Sequence, residues 1–235
     1  MQRYFIKKKI NNIVELEPSD IYHIKKVMRM IIGDRIECIF ESKLYVCEIK
    51  SFDPVNIEII EEIEVEEDKG KNVTICIPLL VEQKMDFILQ KCTELGVNDI
   101  YLYEASRSKI KLDNDRYNKK IERWTKICKE ASEQSHRFDI PKISGIYKIK
   151  ELNEYNGLKL VCSTTDCQSI KKVLKKADNY DRIIIVIGPE GGLSEKEEND
   201  FVVAGFYRVS LGPNILRAET APICALSIVN YEFME

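Results

Sequence analysis

A run of five β-branched residues, Ile183 to Ile187, opens directly into Gly188-Pro189-Glu190-Gly191-Gly192, and this junction constrains the chain more than any other stretch. A short apolar run bounded by glycine and proline reads as a buried strand that stops where the glycines start. The pattern recurs further on. Tyr207 to Gly212 reads as a shorter strand, followed by Pro213-Asn214-Ile215-Leu216-Arg217-Ala218-Glu219-Thr220. Each loop leads into a helix: Ser194 as N-cap with Glu197 three residues on forms a capping box, and Thr220 with Pro222 can open the last helix. In open α/β sheets ligands bind outside the carboxyl ends of the strands. Two such loops on neighbouring strands would therefore line one pocket, and that pocket is the expected functional site.

From Val73 onward, strands alternate with helices. Strand-like runs at 73–80, 97–105, 159–164 and 183–187 are separated by helical runs at 81–95, 116–137 and 168–177. Tyr117, Ile121, Trp124 or Thr125, and Cys128 mark the buried face of the longest helix. Repeated β-then-α order implies a mostly parallel sheet covered on both faces. The first part of the chain differs. Runs at 3–7, 35–40, 44–50 and 55–60 alternate as strands do, and Ser19 to Arg29 forms a helical patch behind a Ser/Asp cap. This predicts a small mostly-β unit, a barrel. Alternation is lost between Glu61 and Asn72, which sets the expected division at 1–70 and 71–235.

Several function classes drop out on composition. The 8 cysteines form no CxxC pair, and 2 histidines are too few to complete a zinc set, so no metal site is expected. With a formal net charge of −3, bulk charge does not drive binding to nucleic acid, although basic runs at 7–9, 107–111, 116–123 and 171–176 leave local basic surface. No stretch approaches the ~20 apolar residues of a membrane span, and the first residues lack a signal-peptide core. The expected location is the cytoplasm, with no membrane partner.

The loops narrow the chemistry further. GPEGGLSEKE carries no Lys-Ser/Thr after its glycines and does not follow GxGxxG spacing, so neither standard phosphate cradle applies. Glycines still let a ligand approach the main chain, whose free N–H and C=O groups can read an adenine edge. Glu190 offers a carboxylate suited to a ribose hydroxyl, a cation or a proton. Arg217 and Glu219 at a helix start are either an ion pair with a cap or a functional pair. His23 reads as structural, whereas Arg29, ahead of the Gly33-Asp34 turn, is a candidate phosphate contact. Two rival classes stay open: a nucleotide-binding transferase or hydrolase, and a non-catalytic RNA-binding module of ribosome assembly.

IGPEGGLSEKE (187–197) together with LGPNILRAETAPICALS (211–227) resembles the paired motifs of the RsmE family of SPOUT-class RNA methyltransferases. KCTELGV (91–97), RWTKICKEASEQSHR with Pro141, and HIKKVMRMIIGD (23–34) extend the resemblance to both halves of the chain. It implies a PUA-like β-barrel for RNA over 1–70 and a SPOUT α/β trefoil-knot domain over 71–235. The implied reaction is methyl transfer from S-adenosylmethionine to N3 of a uridine in small-subunit (16S) ribosomal RNA, by a homodimer. The resemblance also puts the cofactor against Thr164, Gly188, Glu190, Gly191, Leu211, Gly212, Ile215, Leu216 and Arg217. Arg217 is then the expected catalytic or target-positioning residue, with Glu190 and Glu219 as candidates for the base. Arg3, Arg29, Arg107, Lys109, Lys111, Gln134 and Arg137 are the positions expected to face RNA. His136 stands where the family usually carries a small residue, which singles out that turn.

Overall fold

The computed structural model describes residues 1–65, 70–108, 110, 114–165 and 167–233, so Lys109 and Lys111 lie outside the described residues. The chain divides into two compact units, Met1–Asp68 with Ser132–Asp139, and Lys69–Ala131 with Ile140–Glu235.

In the first unit, β1 (Arg3–Phe5), β2 (Lys8–Ile10) and β3 (Ile13–Glu15) precede a short helix α1 (Pro18–Tyr22). β4 (Arg35–Phe40), β5 (Lys43–Phe52) and β6 (Val55–Ile63) follow. Strand order is β1-β4-β5-β6-β3-β2. Laid flat, six strands at ~4.8 Å spacing would set the outer two about 24 Å apart. β1 and β2 are joined by Ile6 and Lys7 alone, a link that reaches about 11 Å at most. The sheet must therefore curl round on itself, as a barrel does. Its interior holds Tyr4, Ile24, Ile36, Cys38, Cys47, Ile49 and Ile57, all at or below 1% exposed.

Two local expectations change here. β2 and β3 were not anticipated, being three residues each around a turn at Asn11 (φ 52). The helix at 19–29 is not capped by Ser19 or Asp20. Its N-cap is Glu17, with no side-chain cap bond, and Pro18 supplies the starting φ. Beyond Tyr22 the backbone widens into a π-helical turn, His23–Val27, and Arg29 closes it in the left-handed region at φ 54.

The second unit follows the β-then-α order. It contains β7 (Asn72–Pro78), α2 (Glu82–Glu94), β8 (Asp99–Tyr103), α3 (Asn114–Gln134), β9 (Lys142–Tyr147), β10 (Leu158–Cys162) and β11 (Gln168–Ser169). α4 (Ile170–Leu174), β12 (Arg182–Val186), α5 (Glu195–Val203), β13 (Tyr207–Ser210) and α6 (Ala221–Phe233) complete it. All seven strands are parallel, in the order β11-β13-β10-β12-β7-β8-β9.

β12 shows why its sequence is apolar throughout. Ile183, Ile185 and Ile187 join the core beneath α2 and α6, while Ile184 and Val186 join Phe201 of α5 on the opposite face. Each such burial contributes roughly 1.5–3 kcal/mol to the unit. Trp124 and Cys128 are buried in α3, along with Ala131, Ser132 and Glu133 in its last turn, and Thr125 is exposed, which resolves the expected Trp124-or-Thr125 position. The helix expected at 168–177 shrinks to Ile170–Leu174, because Gln168 and Ser169 pair with Val209 and Ser210 along the edge of β13. Ladder bonds there satisfy groups that a longer α4 would leave open.

Candidate functional site

β12 and β13 are not neighbours, contrary to the expectation from sequence, because β10 lies between them. The inference of one pocket survives in a different form. Parallel strands present their carboxyl ends on the same edge, so the segments after β12, β10 and β13 meet there. They enclose an open cleft of about 1100 Å³. Thr164, Gly188, Glu190, Gly191, Leu211, Gly212, Ile215, Leu216 and Arg217 all line it, and so does Glu219.

Local sequence explains the openness of the loops. A Cβ added at Gly192 (φ 69) or Gly212 (φ 149) would meet nothing within 4 Å, yet at those φ values only glycine sits without strain. The main-chain groups of Ile215 and Leu216 make no backbone hydrogen bond among the described residues, and the Ile215 side chain is 82% exposed. Unpaired main-chain groups with apolar side chains beside them suit a flat heteroaromatic ligand.

The first loop is fastened at both ends. At its start, the buried Tyr103 hydroxyl donates to Ile187 O at 2.7 Å. At its end, Glu197 in α5 accepts from Ser194 N (2.8 Å), Ser194 Oγ (2.7 Å), Ser106 N (2.6 Å) and Ser106 Oγ (2.7 Å). Burial alone would push the Glu197 carboxyl up, but these four hydrogen bonds outweigh it and hold the group below the usual carboxylate range. Arg107 adds a brace from the side, donating through Nη1 to Gly191 O (3.1 Å) and Leu193 O (3.2 Å). Arg107 thus belongs to the cleft wall, a contact that its basic neighbours in sequence did not suggest.

Charge in the cleft is balanced by pairs that sequence reading missed. Lys84 of α2 contacts Glu190 and lies 3.2 Å from Glu219 Oε2. Its hydrogen bond to Glu190, and then the nearby Glu219 carboxylate, push its ammonium above the usual lysine range. At the far wall Ser163 Oγ donates to Glu198 (3.0 Å), and Arg208 lies 3.5 Å from the same carboxylate. One signal pointed to Lys84: it stands in the first helical turn after a parallel strand, where that topology exposes side chains to the ligand edge. Arg217 is exposed, and its guanidinium has no hydrogen-bond or ion-pair partner among the described residues.

In the first unit the expected RNA-facing residues separate. Arg3 is 5% exposed, ion-paired to Glu37 at 2.7 Å, and its Nη1 donates to His136 O and Arg137 O. It packs on the Phe138 ring as well, 4.7 Å from the centroid. A guanidinium engaged in this way organises the barrel and has no face left for phosphate. Arg137 is similarly held, by Asp139 at 2.8 Å. Arg29 and Gln134 are exposed. Around Arg29 stand exposed Tyr22, Val27, Met28, Ile31 and Ile32 with Lys25 and Lys26, a mixed apolar and basic surface. His23 is structural, its Nδ1 2.9 Å from the Tyr4 hydroxyl. His136 takes φ 59, a left-handed conformation that favours glycine and tolerates His better than most side chains, and its Nδ1 lies 3.3 Å from Glu37.

Comparison with known proteins adds a family to this geometry. Residues 67–230 match the family model described as RNA methyltransferase domain, and residues 16–61 match the RNA methyltransferase PUA domain. The ribosomal RNA small subunit methyltransferase E of Bacillus subtilis is 36% identical, over 99% of this chain and 97% of its own length. The chain belongs to the ribosomal RNA small subunit methyltransferase E family. Another methyltransferase E, from Mesomycoplasma hyopneumoniae, is 31% identical over 97% of this chain and 98% of its own. Among solved structures, methyltransferase E of Neisseria gonorrhoeae, bound to S-adenosyl methionine, superposes with TM-score 0.89 at 27% identity, covering 99% of this chain and 98% of that one. A Legionella pneumophila putative methyltransferase, in complex with the same cofactor, gives TM-score 0.89 at 26% identity over the same shares. The mixed α/β unit with its parallel sheet, preceded by a small PUA-like β unit, is thus the methyltransferase E architecture. Among the described residues no helix is long and apolar enough to cross a membrane.

Proposed function

We propose that this protein transfers the methyl group of S-adenosylmethionine to N3 of a uridine in small-subunit (16S) ribosomal RNA, acting as a cytoplasmic homodimer. Residues 1–70 would engage the RNA and residues 71–235 carry out the transfer. The observation that carries the reading is the cleft itself, which gathers both glycine-bearing loops around unpaired main-chain groups. At about 1100 Å³ it exceeds the ~300–1,000 Å³ typical of one small-molecule site, leaving room for a nucleotide beside the cofactor.

The chemistry supplied by the bound cofactor is an activated methyl on a good leaving group, so orientation carries much of the rate. Gly188, Gly191, Leu211, Gly212, Ile215 and Leu216 would hold it, with Thr164 at the edge. The chain must then handle the target. A uracil N3–H is a weak acid that loses its proton near the moment of attack. Arg217, exposed at the rim, would stabilise the anion that develops, and Glu190 or Glu219 would accept the proton. On the RNA side, Arg29 with Lys25 and Lys26 supplies cations, and the apolar side chains beside them suit unstacked bases. Gln134 is the second exposed candidate.

Titration calorimetry with S-adenosylhomocysteine, followed by mass mapping of ribosomal RNA treated with the protein and S-adenosylmethionine, tests this reading. Micromolar binding and a methylated uridine are expected. Binding of ATP or GTP with magnesium instead would favour a nucleotide-dependent transferase or hydrolase. RNA affinity without cofactor binding would favour an assembly module. The contacts of Arg107 add a finer expectation: Arg107→Ala weakens S-adenosylhomocysteine binding about three- to ten-fold through a looser first loop, and RNA affinity changes less. The reverse order, measured by calorimetry and filter binding, would return Arg107 to the RNA-facing set.

A further inference from the structure

Lys84 is the one cation of the described cleft recorded between carboxylates from two different loops. It stands in the first turn of α2, with its side chain 27% exposed, and reaches Glu190 on the segment after β12 and Glu219 just ahead of α6. The Glu219 Oε2 atom is shielded from solvent and has no hydrogen bond among the described residues, so Lys84 at 3.2 Å is the charge that faces it. Among the described residues no backbone hydrogen bond joins the two segments. Two carboxylates that share one nitrogen stand within about 6 Å of each other and would repel without it.

We propose that Lys84 is a positioning residue of the cleft, its ammonium drawing Glu190 and Glu219 together and so fixing the spacing of the two loops. The inference rests on the methyl-transfer reading only for the identity of the ligand between those loops. Global stability depends little on such a bridge, because partly exposed ion pairs contribute little to folding. Local spacing depends on it more, because each loop contributes one wall and, among the described residues, Lys84 of α2 is the group recorded against both carboxylates.

The test compares wild type, Lys84→Met, Lys84→Arg and the double variant Lys84→Met with Glu190→Gln, each as the full chain. Hydrogen exchange is followed at the amides of Gly192, Thr220 and Ala221, which donate to Pro189 O and Arg217 O within the two segments. Lys84→Met is expected to speed exchange at these amides at least five-fold and to weaken S-adenosylhomocysteine binding about ten-fold, at a nearly unchanged Tm. Lys84→Arg keeps a cation in place and stays within about three-fold on both counts. Adding Glu190→Gln to Lys84→Met removes one of the repelling charges and recovers part of the loss. Unchanged exchange in Lys84→Met overturns the proposal, and so does an equal loss in Lys84→Arg. Should wild type bind no S-adenosylhomocysteine, the methyl-transfer reading fails, and the exchange data still decide the role of Lys84.

Discussion

Replacing Arg217 by alanine is expected to cut methyl transfer by two to three orders of magnitude while changing S-adenosylhomocysteine affinity no more than a few-fold. Main chain and side chain do separate jobs at this position. Arg217 O accepts from Thr220 N at 2.9 Å and from Ala221 N at 3.0 Å, so its carbonyl shapes the turn into α6 whatever the side chain is. The guanidinium is exposed at the cleft and has no partner among the described residues, so alanine leaves no buried group unsatisfied. Removing one charged donor from a developing anion costs about 10²–10³ in rate. Tm should stay close to wild type. Arg217→Lys keeps the charge but loses the planar fork, and an intermediate rate is expected. Single-turnover rates at saturating S-adenosylmethionine, with calorimetry alongside, check the split. If affinity falls by the full factor and the saturated rate holds, Arg217 belongs to the cofactor site.

Sequence patterning carried the second unit because its signals are local. Ile183 to Ile187 has no polar residue to offer solvent on either face, and the structure buries that run on both. The capping box at Ser194 and Glu197 depends on two residues three apart, and both of its hydrogen bonds form. Strand order was harder to foresee. Nothing in the residues of β12 or β13 says that β10 inserts between them, since the choice is made by crossovers many residues long. Long-range pairing also hid Lys84, which meets Glu190 and Glu219 only after three distant segments converge. Arg3 is a contrasting case. A basic residue near the start of the chain reads as surface, but its carboxylate partner is 34 positions away and its carbonyl partner 133. No window of sequence contains that arrangement. β2 and β3 were missed for want of length, since three residues are too few to display a period of two.

Glu197→Gln is expected to destabilise the protein by about 2–3 kcal/mol at neutral pH and to lose most of that deficit in acid. Glu197 is 7% exposed, and its Oε2 alone accepts three of the four hydrogen bonds from Ser106 and Ser194. A glutamine can accept through one oxygen only, and its NH₂ group would confront the Ser194 N–H, leaving donors opposed in a shielded site. The pH dependence follows from the direction of the shift. The folded carboxyl is held below its ordinary value, so the unfolded chain takes up the proton first as pH falls. Stability from Glu197 is therefore complete above about pH 5 and drains away as pH drops through the usual carboxylate range and on to the lowered folded value. Glutamine does not titrate, so the two unfolding curves should lie far apart at pH 7 and converge towards pH 3. Urea denaturation at those two pH values measures the gap. A gap of constant size would show that the ionised form of Glu197 contributes nothing special and that Gln fails there for steric reasons. Convergence would tie the fastening of the first loop to a carboxylate that must stay charged, and cofactor affinity of the folded protein should then fall only at the acid end of that range, where the folded carboxyl itself takes up a proton.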